Sequence, residues 1–129
     1  MATEEQSKPR VLVGDDQIGN PGDHCHKNFV YSYGRLADYD FTDNPRRFVE
    51  MARTGNYDAL VIDLRWGPDI PREGYKVLEE TRDYAKIRIL HTSENEEARK
   101  LGYQHGATHC LEKGCLPEDL EKILKGGEE

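Results

Sequence analysis

Residues 59–63, with the sequence ALVID, decide how this chain folds. Four consecutive apolar residues without polar alternation are typical of a strand that is buried on both faces, as in a parallel sheet. Residues 11–16, VLVGDD, repeat the pattern: three apolar residues run into a glycine and two acids, which cannot continue a buried strand. Both segments therefore predict interior strands of a parallel sheet, and acidic residues lie where each strand ends.

Shorter apolar segments alternate with helical patterns along the rest of the chain. Further strands are predicted at 37–41, 87–91 and 108–111, and helices are predicted at 23–34, 44–52, 75–84, 95–104 and 116–124. The first helix is expected to bury a stripe of Cys25, His26, Phe29, Val30 and Tyr33, and the last one Leu116, Leu120, Ile123 and Leu124. Five strands alternating with five helices predict an α/β fold in which helices cover both faces of a five-stranded parallel sheet.

Length and composition limit the classes of function. The 129 residues suit one folded domain, expected at 10–125, with flexible tails at 1–9 and 126–129. With 18 Lys and Arg against 25 Asp and Glu, the net charge is −7, which argues against nucleic acid as the main partner. No apolar run is long enough to span a membrane, and the first residues lack a secretory signal, so the chain is expected in the cytoplasm. The three cysteines are interpreted as free thiols.

Polar residues interrupt four of the predicted strands at the same end. Asp15 and Asp16 follow the first strand, Asp63 the third, Thr92 the fourth and Lys113 the fifth. The carboxyl ends of parallel strands meet at one edge, where such folds bind ligands. Neighbouring carboxylates repel one another and need a cation, and oxygen ligands favour Mg²⁺. Asp63 could then attack a phosphoryl group as a carboxylate nucleophile, with Lys113 and Thr92 stabilising the charge on the phosphoryl oxygens.

Five segments in this order resemble the receiver domains of two-component response regulators. They read VLVGDDQ, YDALVIDLRWG, GYKVLEETR, ILHTSE and GATHCLEKG, and the resemblance covers residues 10–125. It implies the flavodoxin-like (βα)5 topology with strand order 2-1-3-4-5, similar to single-domain chemotaxis regulators. It also implies a phospho-acceptor role for Asp63 and a Mg²⁺ site.

The resemblance assigns a role to each residue of the site. Asp16 would bind Mg²⁺ directly, Asp15 would act mainly through water, and Asp63 and the backbone carbonyl of Arg65 would complete the protein ligands. Lys113 would hold a phosphoryl oxygen. Arg65 and Glu94 occupy positions that tune dephosphorylation in relatives, and Trp66 is interpreted as a loop residue near the site.

The chain departs from the family pattern in three places. In the family, the residue at Thr92 moves toward the phosphoryl group and couples phosphorylation to the surface of the fourth helix, fifth strand and fifth helix. The aromatic residue that usually takes part in this coupling is replaced here by Cys110. Gly114 follows Lys113 in place of the frequent proline, so no cis peptide bond is expected there. The loop at 64–73 is longer than is common and contains two prolines.

The predicted function is that of a stand-alone receiver. It would take a phosphoryl group onto Asp63 from a histidine kinase, a histidine phosphotransfer protein or a small acyl phosphate, and catalyse its own phosphorylation and dephosphorylation. Its output would be binding to a downstream protein or passage of the phosphoryl group along a phosphorelay. The alternative is a pseudo-receiver, an interaction module independent of phosphorylation, which Cys110, Gly114 and the long loop at 64–73 favour. A magnesium-dependent phosphatase or phosphotransferase of another α/β family ranks last, because Arg65 stands where a second acid is needed.

Overall fold

The computed structural model describes residues 8–15, 24–66 and 73–126, and within them five strands form one parallel sheet. The strand order is β2-β1-β3-β4-β5, so the predicted topology is confirmed. The strands are β1 (Arg10–Gly14), β2 (Asp38–Thr42), β3 (Ala59–Asp63), β4 (Ile87–Thr92) and β5 (His109–Glu112). All residues of β3 are buried, as its unbroken apolar sequence predicts.

Five α-helices connect and follow the strands. They are α1 (His24–Tyr33), α2 (Pro45–Ala52), α3 (Glu73–Thr81), α4 (Glu96–Gln104) and α5 (Pro117–Leu124), and a 3₁₀ turn, Gly34–Leu36, follows α1. None of the helices in the described part of the chain is long and apolar enough to cross a membrane. The tails predicted at 1–9 and 126–129 lie mostly outside the described residues, as does Asp23, the first residue of the predicted first helix.

Side-chain caps explain where two of the helices begin. The Asn44 side chain accepts a hydrogen bond from the Arg47 amide at 2.9 Å, and Asn95 accepts one from Ala98 at 3.1 Å. Each bond satisfies an amide that has no partner within the helix. The predicted starts of α2 and α4 are therefore confirmed.

The prediction for α3 was wrong at both ends. The helix begins at Glu73, earlier than the predicted residue 75, and ends at Thr81 instead of continuing to 84. The buried Thr81 hydroxyl donates to the Val77 carbonyl at 2.7 Å, and the Tyr84 amide turns back to the Thr81 carbonyl at 3.0 Å. Such local bonds give the backbone an alternative to continuing the helix.

The two faces of the sheet carry separate apolar cores. Helices α2, α3 and α4 pack on one face around Phe48 and Leu78, and α1 and α5 pack on the other around Phe29 and Leu120. Each short helix owes its stability mainly to this packing, because isolated helices of this length are marginal in water. The sheet therefore holds its strand ends in fixed relative positions from both sides.

Two residues of the predicted apolar stripes are exposed. Val30 of α1 is 44% exposed and Leu116 is 63% exposed, whereas Phe29 and Tyr33 are buried as predicted. Leu116 lies before the first turn of α5, where its amide donates to Asp119, so it does not share the buried face of that helix. The side chain of Cys25 lies outside the described residues.

Candidate functional site

The carboxyl edge of the sheet brings Asp15, Asp63 and Lys113 into direct contact. The Lys113 ammonium lies 3.0 Å from Oδ2 of Asp15 and 3.1 Å from Oδ1 of Asp63. Since β3 and β4 lie between β1 and β5, this one side chain spans from the fifth strand to the first and third. Three residues predicted from separate strand ends are thus assembled into one polar cluster.

Backbone hydrogen bonds hold the strand ends of this cluster in place. The Asp15 amide donates to the Thr42 carbonyl at 3.2 Å and so extends the pairing of β1 with β2. The Lys113 amide donates to the Thr92 carbonyl at 3.1 Å, which ties the end of β5 to the end of β4. Gly114 then takes a φ of +85°, a conformation that favours glycine, and the Lys113–Gly114 peptide bond is trans as predicted.

The electrostatics of the cluster favour a charged lysine between two charged acids. Asp15 is 8% exposed and Asp63 4% exposed, so both carboxylates are buried. Burial opposes the charged form of Lys113, but the attraction of Asp63 and Asp15 outweighs it and raises the pKa of Lys113 above its ordinary value. The three charged groups together carry one net negative charge, which suits the approach of a cation.

The oxygen donors fit the Mg²⁺ ion that the sequence predicts. Buried carboxylates at the ends of adjacent strands are the hard ligands that Mg²⁺ prefers, and Lys113 alone does not neutralise them. Asp16, the predicted direct ligand, lies outside the described residues. The described part of the site therefore contributes two carboxylates, and no group of three or more His, Cys, Asp or Glu side chains that could hold a metal ion is found among the described residues.

Thr92 lies at the predicted strand end but makes a local hydrogen bond. It is 3% exposed, and its hydroxyl accepts from the Glu94 amide at 3.1 Å. In the register of β3 with β4, Asp63 pairs with His91, the residue before Thr92. The movement of Thr92 toward a phosphoryl group therefore stays a prediction, and it would require breaking the bond to Glu94.

Cys110, one of the departures from the family pattern, packs beneath α4. Its thiol is half-buried and donates to the Arg99 carbonyl at 3.5 Å. Gly102 makes the close packing of α4 possible, because a Cβ there would lie 2.6 Å from the Leu90 side chain and 3.5 Å from the Cys110 sulfur. A side chain as large as an aromatic ring would have to point away from this contact.

An ion pair crosses the edge of the site between the ends of β3 and β4. Nε of Arg65 lies 2.7 Å from Oε2 of Glu94, and the two side chains are 63% and 22% exposed. Exposed pairs of this kind contribute about 0–1 kcal/mol to stability. The contact joins two positions that the family resemblance links to dephosphorylation, and its role in that reaction stays a prediction.

Sequence reasoning placed Trp66 in a loop near the site without predicting its burial, and it missed His91. Trp66 is in the loop after β3, as predicted, but it is 5% exposed and its indole donates to the Asp63 carbonyl at 2.6 Å. His91 lies beside Asp63 in the sheet, and its ring faces that of Phe29 edge-on with 6.3 Å between centroids. His91 directly follows the buried Ile89 and Leu90 in β4, IRILHT, and a titratable residue at this position next to the strand end was the signal that could have revealed it.

His91 is held in its neutral form. Burial, with a smaller contribution from the charge of Lys113, lowers the pKa of His91 from 6.5 to about 4, and Asp15 opposes this shift. A base whose pKa is lowered by folding takes up its proton more readily in the unfolded chain. Its stabilising contribution is therefore present above pH 6.5 and is lost as the pH falls toward 4.

We expect His91→Leu to remove this part of the acid sensitivity. When the pH is lowered from 7 to 5, the free energy of unfolding of the parent chain should fall by about 2 kcal/mol more than that of the variant. Urea unfolding followed by circular dichroism at the two pH values measures the difference. A stability difference that does not depend on pH would show that His91 does not titrate as described.

Comparison with solved structures shows which proteins share this fold. The chemotaxis protein CheY4 of Vibrio cholerae matches with a TM-score of 0.70 and 19% identity, covering 93% of this chain and 98% of that one. A two-component response regulator from Clostridium difficile matches with a TM-score of 0.72 and 16% identity, covering 92% and 94%. The chain has the receiver-domain fold. No protein-family model matches the sequence, and no curated protein is significantly similar to it.

A third matched structure contains a chemically modified residue and bound ligands. A response regulator from Burkholderia pseudomallei was solved with a phosphorylated aspartic acid, a calcium ion and citrate. It matches with a TM-score of 0.71 and 17% identity, and the aligned region covers 91% of this chain and 66% of that one. At these identities the similarity establishes the shared fold alone, because one fold can carry many functions.

Proposed function

We propose that this chain is a phospho-acceptor receiver that takes a phosphoryl group onto Asp63 in a Mg²⁺-dependent reaction. The observation that carries the proposal is the buried Asp63 carboxylate, which shares the Lys113 ammonium with Asp15 at the carboxyl edge of a receiver-type sheet. A histidine kinase or a histidine phosphotransfer protein, acting in the cytoplasm, would supply the phosphoryl group. The receiver fold of the matched response regulators supports this class of partner.

The reaction assigns separate tasks to the residues of the cluster. A carboxylate oxygen of Asp63 forms a bond to phosphorus while the bond from phosphorus to the leaving group of the donor breaks, and the electron pair of that bond departs with the leaving group. Lys113, already 3.1 Å from Asp63, is placed to hold a phosphoryl oxygen. The Thr92 hydroxyl at the neighbouring strand end would contribute a further hydrogen bond.

The proposed metal ligands are Asp15, Asp16, Asp63 and the backbone carbonyl of Arg65. Mg²⁺, when bound, would neutralise charge on the phosphoryl oxygens. Asp15 and Asp63 each contact the ammonium of Lys113, and the attraction of the two carboxylates raises the pKa of that lysine. The calcium ion of the matched Burkholderia pseudomallei regulator supports a divalent cation on this fold.

The output is proposed to be protein binding or passage of the phosphoryl group along a relay. The second candidate, a pseudo-receiver that binds partners without phosphorylation, is favoured by Cys110, whose thiol packs on α4 where relatives use an aromatic switch. The two candidates differ in one measurable property. Only the first requires that Asp63 be phosphorylated.

We expect the fluorescence of Trp66 to change when Mg²⁺ is added and again when beryllofluoride or acetyl phosphate follows. Trp66 is the only tryptophan of the chain, and its indole is bonded to the backbone of Asp63, so its emission reports on the site. The same sample should gain the mass of one phosphoryl group with acetyl phosphate. Absence of both the fluorescence response and the mass gain would overturn the switch and favour the pseudo-receiver.

A further inference from the structure

Trp66 makes a hydrogen bond that bears directly on the acceptor residue. Its indole Nε1 donates to the backbone carbonyl of Asp63 at 2.6 Å, and both groups are buried. Phe48 supports the indole, with ring centroids 5.8 Å apart at an angle of 72°. A buried donor and acceptor that pair in this way fix one another, since either group left alone would lose its hydrogen bond without compensation from water.

The same indole fills the space beside Gly14, the last residue of β1. A Cβ atom at Gly14 would lie 2.1 Å from Cη2 and 2.7 Å from Cζ2 of Trp66, so the ring rests directly on the strand backbone. Asp15 follows Gly14 in the chain. The indole therefore touches the end of β1 with its ring and the end of β3 with its nitrogen, and it connects the two backbones that carry Asp15 and Asp63.

The N-terminus of α3 packs against the backbone of Asp63 and Leu64. A Cβ at Gly74 would lie 2.4 Å from the Asp63 carbonyl oxygen and 2.6 Å from Cα of Leu64, and the Gly74 amide donates to the Leu64 carbonyl at 2.9 Å. The carbonyls of Asp63 and Leu64 are thus both engaged. The next carbonyl in the chain, that of Arg65, is the backbone ligand of the proposed metal site.

We propose that Trp66 is a positioning residue for phosphoryl transfer to Asp63. Its indole sets the spacing between the strand ends that carry Asp15 and Asp63. Its hydrogen bond fixes the backbone conformation from Asp63 to Arg65. Through both contacts it places the carboxylates and the Arg65 carbonyl at the separation that a small, hard cation requires. This inference rests on the proposed function.

The test replaces Trp66 by β-(3-benzothienyl)alanine, which keeps the shape of the indole and has sulfur in place of the N–H group. We expect the dissociation constant for Mg²⁺, measured by calorimetry without phosphodonor, to rise about 3- to 10-fold. The rate of phosphorylation by acetyl phosphate should fall by a similar factor. Trp66→Phe, which also lacks the donor and fills less space, should raise the dissociation constant and lower the rate by at least as much.

Val77→Ala is the matched control, because Val77 is buried in the same core and lies on α3 away from the carboxylates. It should lower stability and leave Mg²⁺ affinity unchanged. If it weakens Mg²⁺ binding as much as the Trp66 variants do, the effect is general destabilisation and the inference is overturned. Unchanged Mg²⁺ affinity and rate in the folded benzothienyl variant would overturn it as well. A parent chain that neither binds Mg²⁺ nor accepts a phosphoryl group would overturn the proposed function itself, and this inference with it.

Discussion

Replacement of Asp63 by asparagine is expected to abolish phosphorylation of this chain, a loss of at least about a thousandfold in rate. The amide has nearly the shape of the carboxylate but is neutral and a poor nucleophile. The fold should persist, because the variant removes one of two buried negative charges that face Lys113 and leaves Asp15 paired with it. Intact-mass measurement after incubation with acetyl phosphate and Mg²⁺ gives the result directly.

Asp43→Asn provides the matched control for this substitution. Asp43 follows β2 and is exposed, so its loss should leave the mass gain unchanged. If Asp63→Asn still gains a phosphoryl group, the nucleophile is another residue of the chain and the assignment of Asp63 is wrong. Circular dichroism of both variants separates a loss of chemistry from a loss of structure.

Gly74→Ala is expected to destabilise the chain by about 2 kcal/mol or more. The added Cβ would lie 2.4 Å from the Asp63 carbonyl oxygen and 2.6 Å from Leu64 Cα, and both are backbone atoms that cannot rotate away. Alanine favours a helix by about 1 kcal/mol over glycine, which is too little to offset the displacement of α3. Urea unfolding followed by circular dichroism measures the change.

Gly34→Ala tests whether the effect comes from the contact or from glycine itself. A Cβ at Gly34 would meet only the Val30 side chain, with its nearest atom at 3.2 Å, and Val30 is exposed enough to give way. Its effect should stay within about 0.5 kcal/mol. Equal destabilisation by the two alanine substitutions would contradict the close packing of α3 on the Asp63 backbone.

The fold could be predicted because its signals are local. Unbroken apolar runs such as 59–62 occur where a strand is covered on both faces, and Asn44 and Asn95 mark helix starts through bonds to amides three residues away. The end of α3 could not be predicted in this way. After Thr81 the Tyr84 amide turns back to the Thr81 carbonyl at 3.0 Å, and the buried Thr81 hydroxyl donates to the Val77 carbonyl; no periodicity in the sequence indicates these contacts.

The sequence by itself determined the succession of strands and helices along the chain and which polar residues stand at strand ends. Both follow from the spacing of apolar and polar residues. Only the tertiary structure decided how those residues meet. Lys113 reaches Asp15 and Asp63 although β3 and β4 separate β5 from β1 in the sheet. Trp66, in the loop after β3, fits against β1 because Gly14 has no side chain to occupy the space that the indole fills. Complementarity between distant residues depends on three-dimensional packing, and no periodicity in the sequence encodes it.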